Sequence, residues 1–469
     1  MGMRQIKTTQ SVCFECGRAV PALLFESDGK VFMQKECPLH GQRTGLVSGD
    51  ADWYHRTMSF ASPATAPKER MTTQVDGCPL DCGFCTAHQQ RMYLPVVSIT
   101  SACNLDCPVC YTLNRRQDSF FMAKDEFARI LEVIHRHDPN MQIINFTGGE
   151  PTLHPQFCEL VEMCRQAGIH RITVSTNGLR LREDPELLSR LAELEARIVL
   201  SFNSFHEQPY RVSAGRNLLD EKLEILRLLD EHKLTTTLLT VVMAGVNDTE
   251  IGEIVRYVLE SDFIVSSQIH TVTYTGQART VFDRSTRLTT PDIIAAIAAD
   301  NREIAQEDFM PSPCAHPLCY SQCYLLKLDA GQTVPLRRFL SSERMWHLLE
   351  GSFYMEPTLQ TEEILGDAVN EMWGRADPTK LDHQVLAALR RLLRALYPSA
   401  PISYQARQKI AEHQIKTIYI SSHMDDENFD LERIASCCVS VPAADGRLIP
   451  TCAYNNIYRQ RDTRFHTAH

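Results

Sequence analysis

Clustered cysteines constrain this chain more than any other feature of its sequence. The chain has 469 residues and 17 cysteines, and most of the cysteines lie within a few positions of another one. An odd number of cysteines cannot pair completely into disulfides, and short spacings between thiols suit metal ligation better. Grouped thiolates select zinc or iron-sulfur clusters. The sequence therefore predicts a metalloprotein with several metal sites.

Composition and charge limit the class of protein. The formal net charge is -10, which argues against a nucleic-acid-binding protein because phosphate contacts need a basic surface. The N-terminus lacks the apolar core of a signal peptide, and no apolar stretch is long enough to span a bilayer. We expect a cytoplasmic protein.

Residues 383–396 predict an amphipathic helix with arginines beside its leucine stripe. Docking on the protein's own core is the main interpretation, and membrane association is the minority one.

Short strand-like runs alternate with helical periodicity from about residue 94. Apolar residues recur at helical spacing near residues 127–134, 157–164 and 251–258. Six strand-helix repeats with right-handed crossovers predict a parallel sheet that curls into a partial barrel, with its chemistry at the carboxyl ends of the strands. The strand candidates are residues 94–100, 141–147, 171–177, 197–203, 235–242 and 268–274.

Two cysteine triplets share one spacing but differ in position. SACNLDCPVCYT, residues 101–112, directly follows the first strand candidate and so lies at the predicted catalytic end of the barrel. GCPLDCGFCT, residues 77–86, precedes the barrel. Three thiolates in one loop can hold three irons of a 4Fe-4S cluster and leave the fourth iron open. The later triplet is Cys103, Cys107 and Cys110; the earlier one is Cys78, Cys82 and Cys85.

Two further motifs stand at the ends of the next strand candidates. In TGGEP, residues 147–151, Gly148 and Gly149 remove side chains where a ligand must approach the backbone, and Pro151 biases Glu150 toward an extended conformation. STNG, residues 175–178, ends the third strand candidate. A zinc site and a simple turn are the alternatives for each motif alone, and their joint placement at consecutive strand ends argues against both.

Taken together, CNLDCPVCY and TGGEP resemble the radical S-adenosylmethionine (SAM) superfamily. The resemblance implies a 4Fe-4S cluster on the later triplet, with the amine and carboxylate of SAM chelating the open iron. It also implies cofactor contacts by Gly148, Gly149 and Glu150, and by Ser175 and Asn177. Many members have an aromatic residue before the third cysteine, where this loop has Val109. Because Phe84 supplies that aromatic in the earlier triplet, exchanged roles for the two triplets remain the alternative.

The N-terminal region predicts a separate metal site. CFEC, residues 13–16, and CPLHG, residues 37–41, are joined by a predicted hairpin whose Asp28-Gly29 pair suits a tight turn. Two such knuckles resemble a rubredoxin or zinc-ribbon site, holding mononuclear iron or zinc. Its ligands would be Cys13, Cys16 and Cys37, with either His40 or a cysteine from elsewhere.

The remaining cysteines lie within the barrel region and after it. Cys164 and Cys158 belong to a predicted helix, so core packing is their expected role. Outside the catalytic triplet, twelve cysteines then remain, enough for three four-cysteine sites if His40, His88 or His316 do not substitute. Simple burial is the alternative for some of them. The C-terminal candidates are Cys314, Cys319, Cys323, Cys437, Cys438 and Cys452.

An acidic run, residues 423–433, precedes the last cysteines. A solvated surface is its usual role. In an active site, its carboxylates would orient a polar head group or a cationic substrate.

The motifs over nearly the whole chain resemble the tetraether lipid synthase-like radical SAM enzymes. This resemblance implies an enzyme that functionalises an unactivated carbon, first of all by carbon-carbon bond formation on a lipid chain. The alternatives are methylation of a pterin or another small molecule, peptide modification, and a non-catalytic zinc scaffold. The expected partners are that substrate and an external one-electron donor such as ferredoxin or flavodoxin; one or two auxiliary iron-sulfur clusters are expected.

The predicted domains are an N-terminal metal-binding region over residues 1–92, a partial (β/α)6 radical SAM barrel over 93–285, and a C-terminal auxiliary-cluster region over 286–469.

Overall fold

The computed structural model describes residues 2–60, 65–112, 119–443 and 445–465. It consists of a small antiparallel sheet at the N-terminus and a large mixed sheet that includes the barrel. The strands are β1 Arg4–Val12, β2 Ala19–Ser27, β3 Lys30–Cys37, β4 Gly41–Ser48, β5 Leu94–Thr100, β6 Ile143–Gly148, β7 Arg171–Thr176, β8 Arg197–Ser201, β9 Thr236–Val242, β10 Ile264–Thr271, β11 Met310–Pro311, β12 Tyr320–Lys327, β13 Thr333–Pro335, β14 Ile415–Ser421, β15 Val439–Pro442 and β16 Leu448–Pro450.

The helices lie between and after these strands. They are α1 Ala51–Met58, α2 Lys124–His137, α3 Phe157–Gln166, α4 Leu179–Glu183, α5 Pro185–Glu193, α6 Glu207–Ser213, α7 Leu219–Glu231, α8 Ile251–Glu260, α9 Ala278–Val281, α10 Thr290–Asp300, α11 Ser342–Leu349, α12 Leu359–Trp373, α13 Lys380–Leu396, α14 Tyr404–Gln414, α15 Leu431–Ala435 and α16 Thr451–Ala453.

The N-terminal sheet pairs its four strands in chain order. Asp28 and Gly29 connect β2 and β3 with φ angles of 50° and 71°. Both angles lie in the left-handed region that a tight hairpin turn of this kind requires. The predicted hairpin is therefore confirmed.

The six predicted barrel strands are present as β5 to β10, paired in parallel and in chain order. Apolar residues on their outer face and on the helices form one core, which contains Val97, Phe146 and Ile172 from the strands and Phe127 and Leu160 from α2 and α3. The last strand begins at Ile264 and ends at Thr271, so the end of the candidate at 268–274 belongs to the loop that follows. The predicted α/β fold with a parallel sheet and a cysteine-rich N-terminal region is confirmed.

The C-terminal part of the chain extends this sheet at both edges. β14 pairs in parallel with β10, and β12 pairs antiparallel with β14. At the other edge, β15 pairs in parallel with β5. The C-terminal part is therefore continuous with the barrel sheet, while the residue limits proposed for the three domains stay predictions.

The amphipathic segment forms α13, which buries Leu389 and Leu396 in a core shared with α11, α12 and α14. Docking of this helix on the protein's own core, the main expectation, is what the structure shows. No helix among the described residues is long and apolar enough to cross a membrane.

Candidate active site

The later cysteine triplet occupies the loop that leaves β5. Thr100 ends the strand, and Ser101 donates its N–H to the Phe120 carbonyl at 3.1 Å, which closes the base of the loop. The Cys110 N–H donates to the Cys107 carbonyl at 2.9 Å. Burial and the nearby charges of Glu150, Cys110 and Cys107 raise the pKa of the Cys103 thiol to about 12, although a hydrogen bond from the Leu105 backbone lowers it. The three thiols therefore face one another at the carboxyl end of the sheet.

The three thiols of the later triplet are not gathered as closely as ligands of a single ion would be. Among the described residues, the group whose ligand atoms all lie within 4.8 Å of one another is the N-terminal one, and the triplet is not in it. A cube of four irons holds its thiolates farther apart than one ion does. The donor set and the open arrangement of Cys103, Cys107 and Cys110 thus fit a 4Fe-4S cluster.

The glycines of TGGEP pack against the cysteine loop. The Gly149 N–H donates to the Thr100 carbonyl at 2.8 Å, and the Glu150 N–H donates to the Ala102 carbonyl at 2.7 Å. A Cβ on Gly149 would come 2.2 Å from the Ala102 oxygen, and one on Gly148 would come 2.2 Å from the Thr100 oxygen. We expected these glycines to admit a ligand; the group that approaches them is the backbone of the cysteine loop itself.

Glu150 joins the ends of β6 and β7. Its side chain is buried, and Oε1 accepts hydrogen bonds from the N–H and hydroxyl of Thr152 and from the hydroxyl of Thr176. Oε2 accepts from the Asn177 N–H at 2.7 Å. Burial raises the pKa of Glu150, while these donors lower it. The carboxylate holds together the strand ends that carry the motifs, and its contact with a cofactor amine stays a prediction.

Ser175 and Asn177 have different surroundings. Ser175 donates to Asn145 Oδ1 at 3.1 Å on the inner face of the sheet. Asn177 donates from Nδ2 to Asn104 Oδ1 in the cysteine loop at 2.7 Å, and its own Oδ1 caps α4 by accepting from the Leu179 N–H. Asn177 thus reaches the loop directly, whereas Ser175 lies deeper in the barrel.

A fully buried lysine supports the same end of the sheet and was not singled out from the sequence. Lys222 of α7 donates from Nζ to the carbonyls of Asn177 and Ser201, both at 2.6 Å. Burial lowers the pKa of Lys222 to about 8, and the charges of Cys107 and Glu150 raise it. The sequence of α7 is that of an ordinary amphipathic helix, so nothing in it indicates that Lys222 is buried. The lysine ties together the carboxyl ends of β7 and β8.

The segment after β10 clamps the cysteine loop and was also missed. The N–H groups of Gln277 and Ala278 donate to the Cys110 carbonyl at 3.0 and 3.2 Å. The Gln277 side chain donates to Asp106 at 2.6 Å. Gly276, with φ of 58°, lies so close that a Cβ there would come 2.4 Å from the Tyr111 carbonyl carbon. That glycine, two residues after a strand candidate, is the signal that the sequence offers.

The inner face of the barrel sheet carries hydrogen-bonded polar side chains. Ile144 and Phe146 of β6 pack into the outer core, so Asn145 between them points to the opposite face. Thr173 and Ser175 donate to Asn145 Oδ1 from the neighbouring strand. Polar side chains thus line this side of the barrel.

The other side of the inner face is polar as well. Thr237 of β9 and Ser266 of β10 share a hydrogen bond of 2.7 Å. Gln268 and His270 lie 2.9 Å apart, and the His270 ring packs beside His423 with centroids 5.1 Å apart. Burial lowers the pKa of His270 to about 3 and that of His423 to about 4, so both rings are neutral at physiological pH.

The predicted N-terminal metal site is assembled. Cys13, Cys16, Cys37 and His40 bring their ligand atoms within 4.8 Å of one another. His40 Nδ1 lies 3.4 Å from Cys13 Sγ and 3.5 Å from Cys37 Sγ. Glu15 lies 3.7 Å from the other ring nitrogen, the position from which a carboxylate orients a metal-binding histidine. Of the two options for the fourth ligand, the structure supplies His40.

Five C-terminal thiols gather around the half-buried Tyr320. The charge of each of these thiols raises the pKa of Tyr320 or of another thiol in the group. The five are Cys314, Cys319, Cys437, Cys438 and Cys452. The neighbours Cys437 and Cys438 face different partners, because Cys438 Sγ lies 3.8 Å from Cys314 Sγ while Cys437 lies beside Cys319 and Cys452.

The earlier triplet meets this group. Cys78 hydrogen-bonds Cys82, and the charges of Cys85 and Cys437 raise the pKa of Cys82 further. Tyr458 near the C-terminus accepts the Cys82 N–H at 2.9 Å. Eight thiols from the two ends of the chain therefore lie together, the number that two four-cysteine sites require.

Cys323 is a correction. The sequence predicts a place among the C-terminal ligands, but Cys323 lies in an apolar cluster with Ile269, Leu325 and Ile418. Burial raises its pKa, and the charged groups that act on it are Asp308 and two arginines rather than thiols. Its position in β12 points the thiol into the core. The two helical cysteines lie where the sequence predicts, since Cys164 is fully buried in the barrel core and Cys158 packs against it.

The acidic run is a second correction. Asp425 is fully buried, and both of its oxygens accept from Arg287, at 2.8 and 3.0 Å. Asp426 pairs with Arg284 and Arg279. These carboxylates are internal partners of the segment after β10. Asp425 and Asp426 therefore neither form a solvated surface nor remain unpaired for binding a substrate.

Comparisons with known proteins agree with this geometry. Residues 97–258 match the family model described as Radical SAM superfamily. Residues 5–49 match the one described as HMPTM N-terminal zinc ribbon domain.

Two curated relatives cover different shares of the chain. The 7,8-dihydro-6-hydroxymethylpterin dimethyltransferase of Methanocaldococcus jannaschii is 28% identical over 97% of this chain and 94% of its own length. A probable GTP 3',8-cyclase of Pyrococcus horikoshii is 29% identical over 36% of this chain and 53% of its own length.

Solved structures are similar at lower identity. Streptococcus suis SuiB bound to S-adenosylmethionine is 17% identical, with a TM-score of 0.39 over 47% of this chain and 49% of that one. Methylornithine synthase is 16% identical, with a TM-score of 0.36 over 45% of this chain and 63% of that one.

Proposed function

We propose that this chain, which is an iron-sulfur and SAM-dependent radical SAM enzyme, methylates a carbon of a pterin or a closely related heterocycle. The observation that carries the proposal is the polar inner face of the barrel sheet. A pterin presents hydrogen-bonding edges and a flat ring. An alkyl chain presents neither and would need an apolar channel.

The chemistry of the reacting centre comes from the bound groups. When bound, a 4Fe-4S cluster with SAM would supply radical hydrogen-atom abstraction from an unactivated carbon. Cys103, Cys107 and Cys110 would hold the cluster. The methyl group would come from a second SAM, which leaves as S-adenosylhomocysteine. An external one-electron donor, for which ferredoxin or flavodoxin are the expected classes, would supply one electron for SAM cleavage and one for the methyl transfer.

The chain's own residues position the reaction. Glu150 and Lys222 fix the carboxyl ends of β6, β7 and β8 through buried hydrogen bonds. Gln277 and Ala278 hold the cysteine loop from the opposite side. A rigid site holds the substrate carbon in a fixed geometry relative to the bound cofactor, and such positioning lowers the activation barrier.

The inner face would recognise the ring. His270 and His423 are neutral, and Gln268 beside them carries both a donor and an acceptor. Neutral donors and acceptors suit an uncharged heterocycle, because no buried charge is left unpaired when it binds. The relative that spans the chain is named for a pterin substrate, which supports the same choice.

Carbon-carbon bond formation on a lipid, our first expectation from sequence, has less support. The relatives described above are named for a pterin and a nucleotide, and the inner face of the sheet is polar. The narrower tetraether lipid synthase-like resemblance therefore gives way to the pterin proposal.

The test is a turnover assay under anaerobic conditions. The purified holoenzyme is incubated with dithionite, SAM and 6-hydroxymethyl-7,8-dihydropterin, and the products are analysed by mass spectrometry. We expect 5'-deoxyadenosine and a pterin heavier by one or two methyl groups. Cys107→Ala is the control and should give neither. Deoxyadenosine without any change in the pterin, together with a modified lipid when a lipid extract replaces it, would reject the pterin.

A further inference from the structure

A buried arginine near the C-terminus has no carboxylate partner among the described residues. Arg459 is 6% exposed, and its Nε and Nη2 have no hydrogen-bond partner within the described ranges. Its guanidinium lies 4.6 Å from the centroid of the Phe465 ring and 5.6 Å from that of Tyr454. Aromatic faces attract a cation but do not accept its N–H groups in the guanidinium plane. A buried charge with unsatisfied donors is costly, so such a group is retained where a ligand completes it.

Arg459 faces the residue that follows the third cluster cysteine. The Tyr111 side chain is 40% exposed, yet burial of its hydroxyl end raises its pKa, while the charge of Arg459 and a hydrogen bond with Thr147 lower it. Tyr111 follows Cys110 directly, and Thr147 begins the TGGEP motif. The guanidinium therefore lies beside the mouth of the barrel, between the cysteine loop and the end of β6.

The segment that carries Arg459 is fixed over the cysteine loop. Phe465 packs edge-on against Phe120 with centroids 5.9 Å apart, and the Phe120 carbonyl closes the base of the loop. Residues Tyr454–Tyr458 form a π-helical turn, and the Arg459 N–H donates to the Tyr454 carbonyl at 2.7 Å. Single π-helical turns are frequent at functional sites, because they redirect a side chain that a regular helix would point elsewhere.

A second arginine in the same segment shows what a purely structural role looks like. Arg464 also packs on Phe465, at 5.5 Å. Unlike Arg459, it donates to Asp462 at 2.7 Å and to Glu126 at 2.9 Å. The two residues share an aromatic neighbour and differ in their carboxylate partners.

We propose that Arg459 binds an oxyanion, a carboxylate or a phosphate, at the barrel mouth. A guanidinium presents two parallel N–H donors that match either group, and a charge-assisted pair of this kind is strong in a buried site. The expected source is the methionyl carboxylate of SAM, because Arg459 lies beside the loop on which the cofactor binds. A phosphate on the second substrate is the other source with the same chemistry. The proposal does not depend on the pterin, so failure of pterin methylation leaves it standing.

The experiment compares Arg459→Met and Arg459→Lys with Arg464→Met as the matched control. Each holoenzyme is first checked for iron per chain and thermal unfolding. SAM affinity is then measured by equilibrium dialysis, and binding of inorganic diphosphate by calorimetry. We expect Arg459→Met to weaken SAM binding by about tenfold or more, with a smaller loss in Arg459→Lys and little change in the control.

The outcomes separate the two sources. Unchanged SAM affinity, with diphosphate bound by the wild type and not by Arg459→Met, assigns the oxyanion to the substrate. If both probes bind Arg459→Met as they bind the wild type, or if Arg464→Met loses as much affinity, the proposal is overturned. Should Arg459→Met fail to fold, Arg459→Lys and Arg459→Gln decide by the same criteria.

Discussion

Individual side chains around the barrel mouth take roles that their residue types alone do not reveal. Cys319 and Cys323 lie four positions apart, yet only the first meets other thiols, because the strand that begins between them points Cys323 into the core. Glu150 is a carboxylate beside the cofactor loop, yet most of its acceptor capacity serves Thr152, Thr176 and Asn177. The role of each of these side chains therefore depends on the neighbours that the fold brings within contact distance of it.

Replacing these two cysteines should therefore give opposite results. Cys319→Ala removes a thiol from the group around Tyr320, so iron per chain should fall. Cys323→Ala removes only packing and should keep the iron, at a cost of about 1 kcal/mol in the free energy of unfolding. Iron analysis and thermal unfolding of the two variants check this. Equal iron loss in both would return Cys323 to the ligand set.

Glu150→Ala should weaken both the strand ends and the cofactor site. The change leaves the buried donors of Thr152, Thr176 and Asn177 without their acceptor, which costs about 1–3 kcal/mol for each group left unsatisfied. Because the carboxylate is not an iron ligand, cluster iron should be retained while SAM affinity falls. Loss of iron with unchanged SAM affinity in the remaining holoprotein would reverse this assignment.

At the scale of elements, the connection from β10 to α9 decides where the cysteine loop lies. The N–H groups of Gln277 and Ala278, where this connection enters α9, donate to the Cys110 carbonyl, and Gly276 allows the two backbones to meet. Strand periodicity predicted β10 but not the turn after it, because a glycine that follows a strand has many possible functions. The contact between this connection and the cysteine loop joins residues far apart in the chain, so no local pattern indicates it.

Gly276→Ala should displace the cysteine loop. The added Cβ would lie 2.4 Å from Tyr111 and would meet backbone, which cannot rotate away. Gly245→Ala is the matched control, since Gly245 has φ of 68° against 58° and nothing within 4 Å of its Cβ position. Both changes cost about 1 kcal/mol of backbone strain, but only Gly276→Ala should lose catalytic cluster iron and SAM cleavage. Equal iron content in the two variants would show that the contact is not needed.

At the scale of the whole molecule, the sequence predicted local elements better than their long-range assembly. The six barrel strands and the hairpin follow from alternation and turn residues, which are local signals. The pairing of β14 with β10 and of β15 with β5 joins segments far apart in the chain, and no local pattern specifies it. The same limit applies to the site: the cysteine spacings predicted the loops, whereas the meeting of the earlier triplet with the C-terminal thiols and the position of Arg459 arise only on folding.

That meeting of the two chain ends sets the expected result of removing the earlier triplet. A variant with Cys78, Cys82 and Cys85 all changed to Ala should bind less iron, because these thiols adjoin Cys437 and the rest of the C-terminal group. It should still cleave SAM slowly without substrate, since Cys103, Cys107 and Cys110 lie in a separate loop that β5, β6 and α9 hold in place. Product formation should fall further than this uncoupled cleavage. Iron per chain, thermal unfolding and 5'-deoxyadenosine formation are measured on the same preparation. Loss of uncoupled cleavage in a folded protein whose 103–110 cluster is spectroscopically intact would mean that the two triplets have exchanged roles.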